Sequence, residues 1–172
     1  MKDISNFNNT NDYLPLLNSI LIIDLIYLAI TFHTKLFKSK YLKKWYQDYR
    51  LSAIIADCSI IFLAFVFTRF IYTRYNVKWS LLKFTILSIV VQVVHDILFY
   101  KMFMYFNKNT NKMLDLFKDY AKELSFYAIL GDTSMMIFIS ILTSLIANLN
   151  YNTNIIILTT LVYISQYLIY AK

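Results

Sequence analysis

Five long apolar stretches separated by polar segments dominate the pattern of the chain. They lie at about residues 13–32, 51–72, 80–104, 124–147 and 154–171. Because an α-helix rises about 1.5 Å per residue, each stretch is long enough to cross a hydrocarbon layer of about 30 Å. The pattern predicts an all-α, polytopic integral membrane bundle of five transmembrane helices, with residues 1–172 forming a single domain.

The last stretch is the shortest, and it carries Thr159, Thr160, Tyr163 and Gln166. A four-helix bundle with a C-terminal surface helix therefore stays open beside the five-helix prediction. The composition favours a membrane protein in either case, since 59% of the residues are hydrophobic and the 172 residues include one Gly and one Pro. A soluble domain of this length needs more turn residues and a larger charged shell.

Lysine and arginine are concentrated in two of the connecting segments. The first connection carries six of them against Asp48 alone, and the third connection, over residues 101–122, carries five. These two connections lie on the same side of a five-helix bundle. Since Lys and Arg favour the cytosolic side, the rule predicts that the N-terminus is outside and the C-terminus is cytosolic.

The formal net charge of +7 is explained by the same connections. Lysines alternate with aromatic residues over 35–50, a composition typical of a helix that lies among anionic lipid headgroups, and 112–123 is a second amphipathic surface segment. We expect the bilayer, and no nucleic acid, to be the partner of these charges. The residues predicted to contact headgroups are Lys35, Lys38, Lys40, Lys43, Lys44, Trp45 and Arg50.

Ionisable and amide side chains interrupt the apolar stretches. Counted from the cytosolic end of each stretch, four aspartates fall about 9–13 Å inside. Because an ionised Asp at the centre of a membrane helix costs about 2.5–3.5 kcal/mol, these groups are expected to face the interior of the bundle. The predicted polar intramembrane layer consists of Asp24, Asp57, Gln92, His95, Asp96 and Asp132.

Small and polar residues recur at helical spacing in every stretch, as they do where membrane helices pack together. In the fifth stretch this face contains Thr159, Tyr163, Gln166 and Tyr170. We therefore expect that face to point towards the other helices.

Three explanations of the polar layer remain open. The first is interhelical hydrogen bonding alone, and the second is a cation or proton site of a small conductor or transporter. The third is a metal-dependent membrane enzyme, with Asp57, His95, Asp96 and Asp132 as candidate ligands of a divalent cation. No cofactor and no catalytic residue is predicted, and an enzyme is not favoured, because one glycine, Gly131, excludes phosphate-binding loops and Cys58 has no partner cysteine.

Three segments carry a resemblance to a known family. They are "YRLSAIIAD" (49–57), "QVVHDILFY" (92–100) and "NKMLDLFKDYAKELSFYAILGDTSMM" (111–136). Together, over about residues 41–147, the chain resembles an uncharacterised family of small multi-pass membrane proteins encoded by large nucleocytoplasmic DNA viruses. That family is glycine-richer in the second and fourth spans, where this chain has Ala64, Ser125 and Ala128.

The resemblance implies a place, a viral or host intracellular membrane, and brings no assigned activity. We therefore predict a structural or assembly membrane protein, with a homo-oligomer or a viral structural protein as its protein partner. A small cation or proton conductor is the first alternative, and a metal-dependent enzyme is the second.

Overall fold

The computed structural model describes residues 1–34, 39–124 and 126–170, and the regular secondary structure of this part of the chain is all helical. A short 3-10 turn over Thr10–Asp12 precedes α1. The α-helices are α1 (Tyr13–His33), α2 (Lys40–Tyr49), α3 (Leu51–Arg74), α4 (Leu81–Tyr105), α5 (Lys112–Leu124), α6 (Phe126–Ile146) and α7 (Tyr151–Ile169).

Five of these helices, α1, α3, α4, α6 and α7, are long and apolar enough to cross a membrane. The predicted number of long helices is therefore confirmed, and α7 is one of the five. It begins at Tyr151, a few residues before the predicted start, because the side chain of Asn150 accepts a hydrogen bond from the backbone N–H of Thr153 and caps the helix.

The first helix is the centre of the bundle, since α1 packs against α3, α6 and α7. About 61% of the most apolar part of α1 is buried inside the protein, compared with 17% for the same part of α7. Between α1 and α7, the Asn18 side chain donates to the backbone oxygen of Asn154 (2.9 Å) and to its side-chain oxygen (3.0 Å). The remaining long helix, α4, packs against α3 and α6.

The two short amphipathic helices, α2 and α5, cover one end of the bundle and are called the lid below. They pack against each other, and α2 also contacts α3 while α5 contacts α4. The turn between α2 and α3 is made at Arg50, which has φ 47° and ψ −121°. This left-handed φ is uncommon for a residue with a Cβ, and it separates two helices that otherwise follow each other directly.

Residues 1–12, called the N-terminal segment below, pack at the opposite end of the bundle. The backbone N–H of Lys2 donates to the Ser144 oxygen of α6 (3.2 Å), and the Ser144 hydroxyl donates to the Lys2 oxygen (2.7 Å). On α3, the Thr73 hydroxyl oxygen accepts from the backbone N–H of Phe7 (2.8 Å). This segment therefore joins α3 to α6 across the end that the lid leaves open.

Candidate functional site

The lid places two aromatic side chains against aspartates of the long helices. The indole Nε1–H of Trp45 lies 3.0 Å and 3.3 Å from the two carboxylate oxygens of Asp57 on α3. The next residue, Tyr46, directs its hydroxyl towards Asp24 on α1, with an oxygen–oxygen distance of 3.4 Å. One turn of α2 thereby contacts the acidic groups of two different helices.

A second polar group lies on α4, within two turns of the helix. The Gln92 amide donates to one carboxylate oxygen of Asp96 (2.8 Å), and Nδ1 of His95 lies 3.2 Å from the same oxygen. The imidazole also stacks on Phe99, with a centroid distance of 5.5 Å. Although adjacent residues on a helix point about 100° apart, these rotamers bring the imidazole and the carboxylate together.

Tyr120 of α5 lies within electrostatic range of aspartates on three long helices, including Asp132 of α6. Burial raises the pKa of the Tyr120 hydroxyl, and the negative charges of Asp132, Asp57 and Asp96 raise it further. The pKa of Tyr46 is raised for the same reasons, first by burial and then by Asp24 and Asp57. The four aspartates thus act electrostatically on two tyrosines of the lid, and they lie at one end of the bundle.

Several polar atoms beneath the lid are buried and have no hydrogen-bond partner in the described residues. They are one carboxylate oxygen each of Asp24 and Asp96 and the side-chain oxygen of Gln92. A buried acceptor without a hydrogen-bond donor costs about 1–3 kcal/mol of stability. A bound proton or cation would supply the partner that these oxygens lack. The cluster therefore has spare acceptor capacity, which interhelical hydrogen bonding does not use.

The candidate metal ligands do not form a recognisable metal site in the described residues. No three His, Cys, Asp or Glu side chains of this part of the chain come close enough to hold one ion. Asp57 is turned towards Trp45, and His95 is turned towards Asp96, which lies on its own helix. The divalent cation therefore stays a prediction from the sequence.

The lid is fastened by a carboxylate at the start of α2. Glu123 of α5 accepts from the Ser39 hydroxyl (2.6 Å) and from the backbone N–H groups of Lys40 (3.2 Å) and Tyr41 (3.3 Å). Some loss of hydration opposes ionisation of the exposed Glu123, but these hydrogen bonds together outweigh it and lower its pKa. A carboxylate at a helix N-terminus also complements the helix dipole.

Aromatic packing completes the contact between the lid and α4. Phe117 of α5 lies with its ring centroid 4.8 Å from that of Trp45 and 5.8 Å from that of Phe99. Lys118 is buried, and its ammonium donates to the backbone oxygen of Phe106 at the end of α4. Residues 112–123 therefore form a packed helix whose inner face closes the bundle.

The residues predicted to contact lipid headgroups are placed in different ways. Trp45 is 4% exposed and packs inside the lid, so its assignment to headgroup contact is wrong: the apolar face of α2 is covered by α5 and α3. Lys44 is exposed and paired with Asp48 (2.6 Å), and Arg50 stacks over the ring of Tyr170 (4.8 Å). Of the other lysines, Lys40 is exposed and Lys43 half-buried, whereas Lys35 and Lys38 lie outside the described residues.

The polar face of the fifth long helix does not point towards the other helices. Thr159, Tyr163, Gln166 and Tyr170 are all exposed, so this expectation is wrong. The buried residues of α7 are Asn154, Ser165 and Ile169, which lie on the opposite side of the helix. Periodicity correctly grouped these four residues on one side of α7, but it did not show whether that side faces inwards. The opposite side, with Asn154 and Ser165, packs on the bundle.

A buried ion pair at the other end of the bundle was missed by the sequence analysis. Arg69, on the apolar helix α3, is 1% exposed, and its guanidinium lies 3.8 Å from a carboxylate oxygen of Asp12. Asp12 also accepts from Lys2 (2.7 Å) and from the Asn9 side chain (2.7 Å). The available signal was an arginine inside an apolar stretch, which demands a partner within the protein.

The guanidinium of Arg69 also holds the N-terminal segment directly. It donates to the backbone oxygens of Asn6 and Asn9, the latter at 2.8 Å, and lies over the ring of Tyr13 at 4.2 Å. The narrow space beside it, which Phe84 and Thr143 also line, has no room for a water molecule. The N-terminal segment therefore covers Arg69 at this end of the bundle.

Comparison with family models, with curated proteins and with known structures finds no match for this chain. The resemblance to the viral membrane family accordingly stays a prediction.

Proposed function

We propose that the protein is an integral membrane protein with a structural or assembly role in a viral or host intracellular membrane. The distribution of side chains carries this proposal, because large apolar side chains are exposed along the long helices while some charged side chains are buried, which is unusual in a soluble protein. Leu82, Ile156 and Leu98 are 69%, 65% and 61% exposed, whereas Asp24 and Arg69 are each 1% exposed. A lipid environment would remove the cost of so much exposed apolar surface on the long helices.

The positive charges support an orientation for this bundle. The lid, which contains the lysine-rich segments, would face the cytosol, and the N-terminal segment would face the opposite side. Exposed Lys40 and Lys44 would then lie near anionic headgroups. In this orientation the four aspartates lie in the cytosolic half of the bundle.

A structural role is favoured because polar contacts close both ends of the bundle. The lid side chains Trp45 and Tyr46 contact Asp57 and Asp24, and Arg69 fixes the N-terminal segment at the other end. A conductor needs a hydrated path through the bundle, and the space beside Arg69 does not admit water. Polar side chains used in this way specify how membrane helices pack.

A small cation or proton conductor is the second candidate. The unpaired oxygens of Asp24, Asp96 and Gln92 favour it, because they offer acceptors without donors. The metal-dependent enzyme rests on the sequence alone, because Asp57, His95, Asp96 and Asp132 do not form a metal site in the described residues. Elemental analysis of the purified protein tests it.

Neutral substitutions distinguish the structural role from conduction. The variants Asp57→Asn, Asp96→Asn and Asp132→Asn are reconstituted in liposomes, with Asp48→Asn on the exposed face of α2 as the matched control. Carbonate extraction first measures whether each protein is embedded in the bilayer. A pH-sensitive dye and a cation-sensitive dye inside the vesicles then report flux.

The structural proposal predicts embedded protein, no flux above that of empty vesicles, and folding retained in the Asn variants. A flux in the wild type that is lost in the Asp57, Asp96 or Asp132 variants and kept in Asp48→Asn would instead establish the conductor. Release of the wild-type protein by carbonate would refute the membrane proposal itself.

A further inference from the structure

Asp24 is the most deeply buried of the four aspartates beneath the lid. Its residue is 1% exposed, whereas Asp57, Asp96 and Asp132 are half-buried. It lies on α1, the central helix of the bundle, and no lysine, arginine or histidine pairs with it in the described residues. Asp24 is therefore either an unpaired buried anion or a neutral carboxylic acid.

The contacts of Asp24 are those of a neutral group. The Tyr46 hydroxyl lies 3.4 Å from Oδ1, and Oδ2 is buried with no hydrogen-bond partner in this part of the chain. An ionised carboxylate draws a hydroxyl donor to about 2.5–2.7 Å. The long contact and the unpartnered oxygen both indicate that Asp24 carries no charge.

Asp12, at the other end of the bundle, shows how this protein accommodates a buried carboxylate that is charged. It is 0% exposed, and its two oxygens accept from Lys2 and from Asn9, each at 2.7 Å. The guanidinium of Arg69 lies 3.8 Å away. Asp24 is buried to the same degree but has neither a cation nor a short hydrogen bond. Because an unpaired ion costs far more to bury than a neutral carboxyl group, the neutral form of Asp24 is favoured.

The elements packed around Asp24 bring further acidic groups and no cation. From α3, the charge of Asp57 acts on Asp24, and the Cys58 thiol lies beside it. Tyr46 faces it from α2, α6 carries Asp132, and the ionisable side chains of α7 are all tyrosines. Ionising Asp24 would therefore add a second negative charge close to Asp57.

We infer that Asp24 binds a proton in the closed bundle and that this proton keeps the lid closed. Without it, two uncompensated carboxylates would lie beneath Trp45 and Tyr46, and water could hydrate the new charge only if the lid moved away. The bound proton therefore favours the closed lid at low pH, and this contribution is lost as the pH rises until Asp24 ionises. The inference goes beyond the structural role proposed above, and it concerns contacts inside the bundle whether or not the bundle is embedded in a membrane.

Infrared spectroscopy of the full chain in detergent micelles tests the charge state of Asp24. A protonated carboxylic acid has a C=O stretching band at a frequency where carboxylates and amides do not absorb. The band is compared at neutral pH between the wild type and Asp24→Asn. Asp57→Asn is the matched control on the neighbouring helix, Asp48→Asn is the exposed control, and circular dichroism checks the folding of each variant.

We expect part of this band to be lost in Asp24→Asn and none of it in the two controls. An unchanged band in Asp24→Asn would overturn the inference. A loss in Asp57→Asn alone would overturn it as well, because the proton would then belong to Asp57.

Acrylamide quenching of tryptophan fluorescence measures the lid itself. In a Trp79→Phe background Trp45 is the sole tryptophan, and it is 4% exposed when the lid is closed. Raising the pH from about 6 to about 9 should increase its quenching several-fold, and adding Asp24→Asn should abolish this increase. Adding Asp132→Asn, which removes another acid near the lid, should leave the increase in place.

The Trp79→Phe protein retains Asp24, so its pH response is informative even if Asp24→Asn does not fold. The absence of a pH response in that protein would overturn proton-dependent closure. A response that persists in Asp24→Asn, or that is lost only in Asp132→Asn, would also overturn it. Release of the wild-type protein by carbonate would refute the membrane proposal but leave this inference standing.

Discussion

The buried pair of Asp12 and Arg69 gives the sharpest test of how the bundle is held closed. The variant Asp12→Asn keeps the size of the side chain and a hydrogen-bonding oxygen for Asn9 but removes the negative charge. Arg69, which is 1% exposed, then retains its positive charge without a counter-ion. Lys2 also loses its partner, but its side chain is 33% exposed and is readily hydrated.

The expected cost follows from the cost of an uncompensated buried charge. Removing one partner of a buried ion pair costs about 3–5 kcal/mol. Because Arg69 keeps its bonds to the backbone oxygens of Asn6 and Asn9, we expect the lower limit, about 3 kcal/mol. The variant Arg69→Met leaves Asp12 paired with Lys2 at 2.7 Å, so its cost should be about 1–2 kcal/mol.

The double variant Asp12→Asn, Arg69→Met should be more stable than Asp12→Asn alone, since no buried charge remains unpaired. Unfolding is followed by titration with SDS in mixed micelles, read by the combined fluorescence of Trp45 and of Trp79, which packs on Tyr72 and Phe84. The exposed Asp48→Asn is the control. A loss below about 1 kcal/mol for Asp12→Asn, or additive losses in the double variant, would refute the reasoning.

Two further perturbations concern the lid. Trp45→Phe removes the indole donor to Asp57 and should lower the free energy of unfolding by about 1–2 kcal/mol, measured by the same titration with circular dichroism as the signal. The control is Trp79→Phe, because the Trp79 indole makes no hydrogen bond in the described residues. An equal loss in both variants would contradict the role of the bond. Glu123 has a lowered folded-state pKa, so its hydrogen bonds stabilise the lid fully above its ordinary value of 4.5 and this stabilisation is lost as the pH falls through the folded value. Glu123→Gln should therefore lose less stability than the wild type between about pH 5 and pH 3, and identical pH profiles would contradict this.

The positions of the four aspartates illustrate what helix geometry alone provides. Counting residues from the helix ends put them at a shared level, and in the structure they lie within electrostatic range of Tyr46 and Tyr120. The hydrogen-bond donors beneath the lid were not predicted. Trp45 and Tyr46 belong to a lysine-rich segment, and a short amphipathic helix has the same pattern whether its apolar face meets lipid or protein.

The helix α7 and the N-terminal segment also show that helix geometry does not identify the neighbours of a residue. The exposed side of α7 was identified as a face, but its direction depends on which side packs against α1. The pair of Asp12 and Arg69 joins residues 57 positions apart, and only their shared place at one end of the bundle reveals it.

The sequence by itself determined the helical class, the five long apolar helices and the residues that share each helical face, because length and periodicity are local properties of the chain. Tertiary structure decided which face of each helix is buried, that the lid covers the aspartates, and that the N-terminal segment closes the other end. Those outcomes depend on contacts between residues far apart in sequence, and a helical repeat specifies a face without specifying its neighbour.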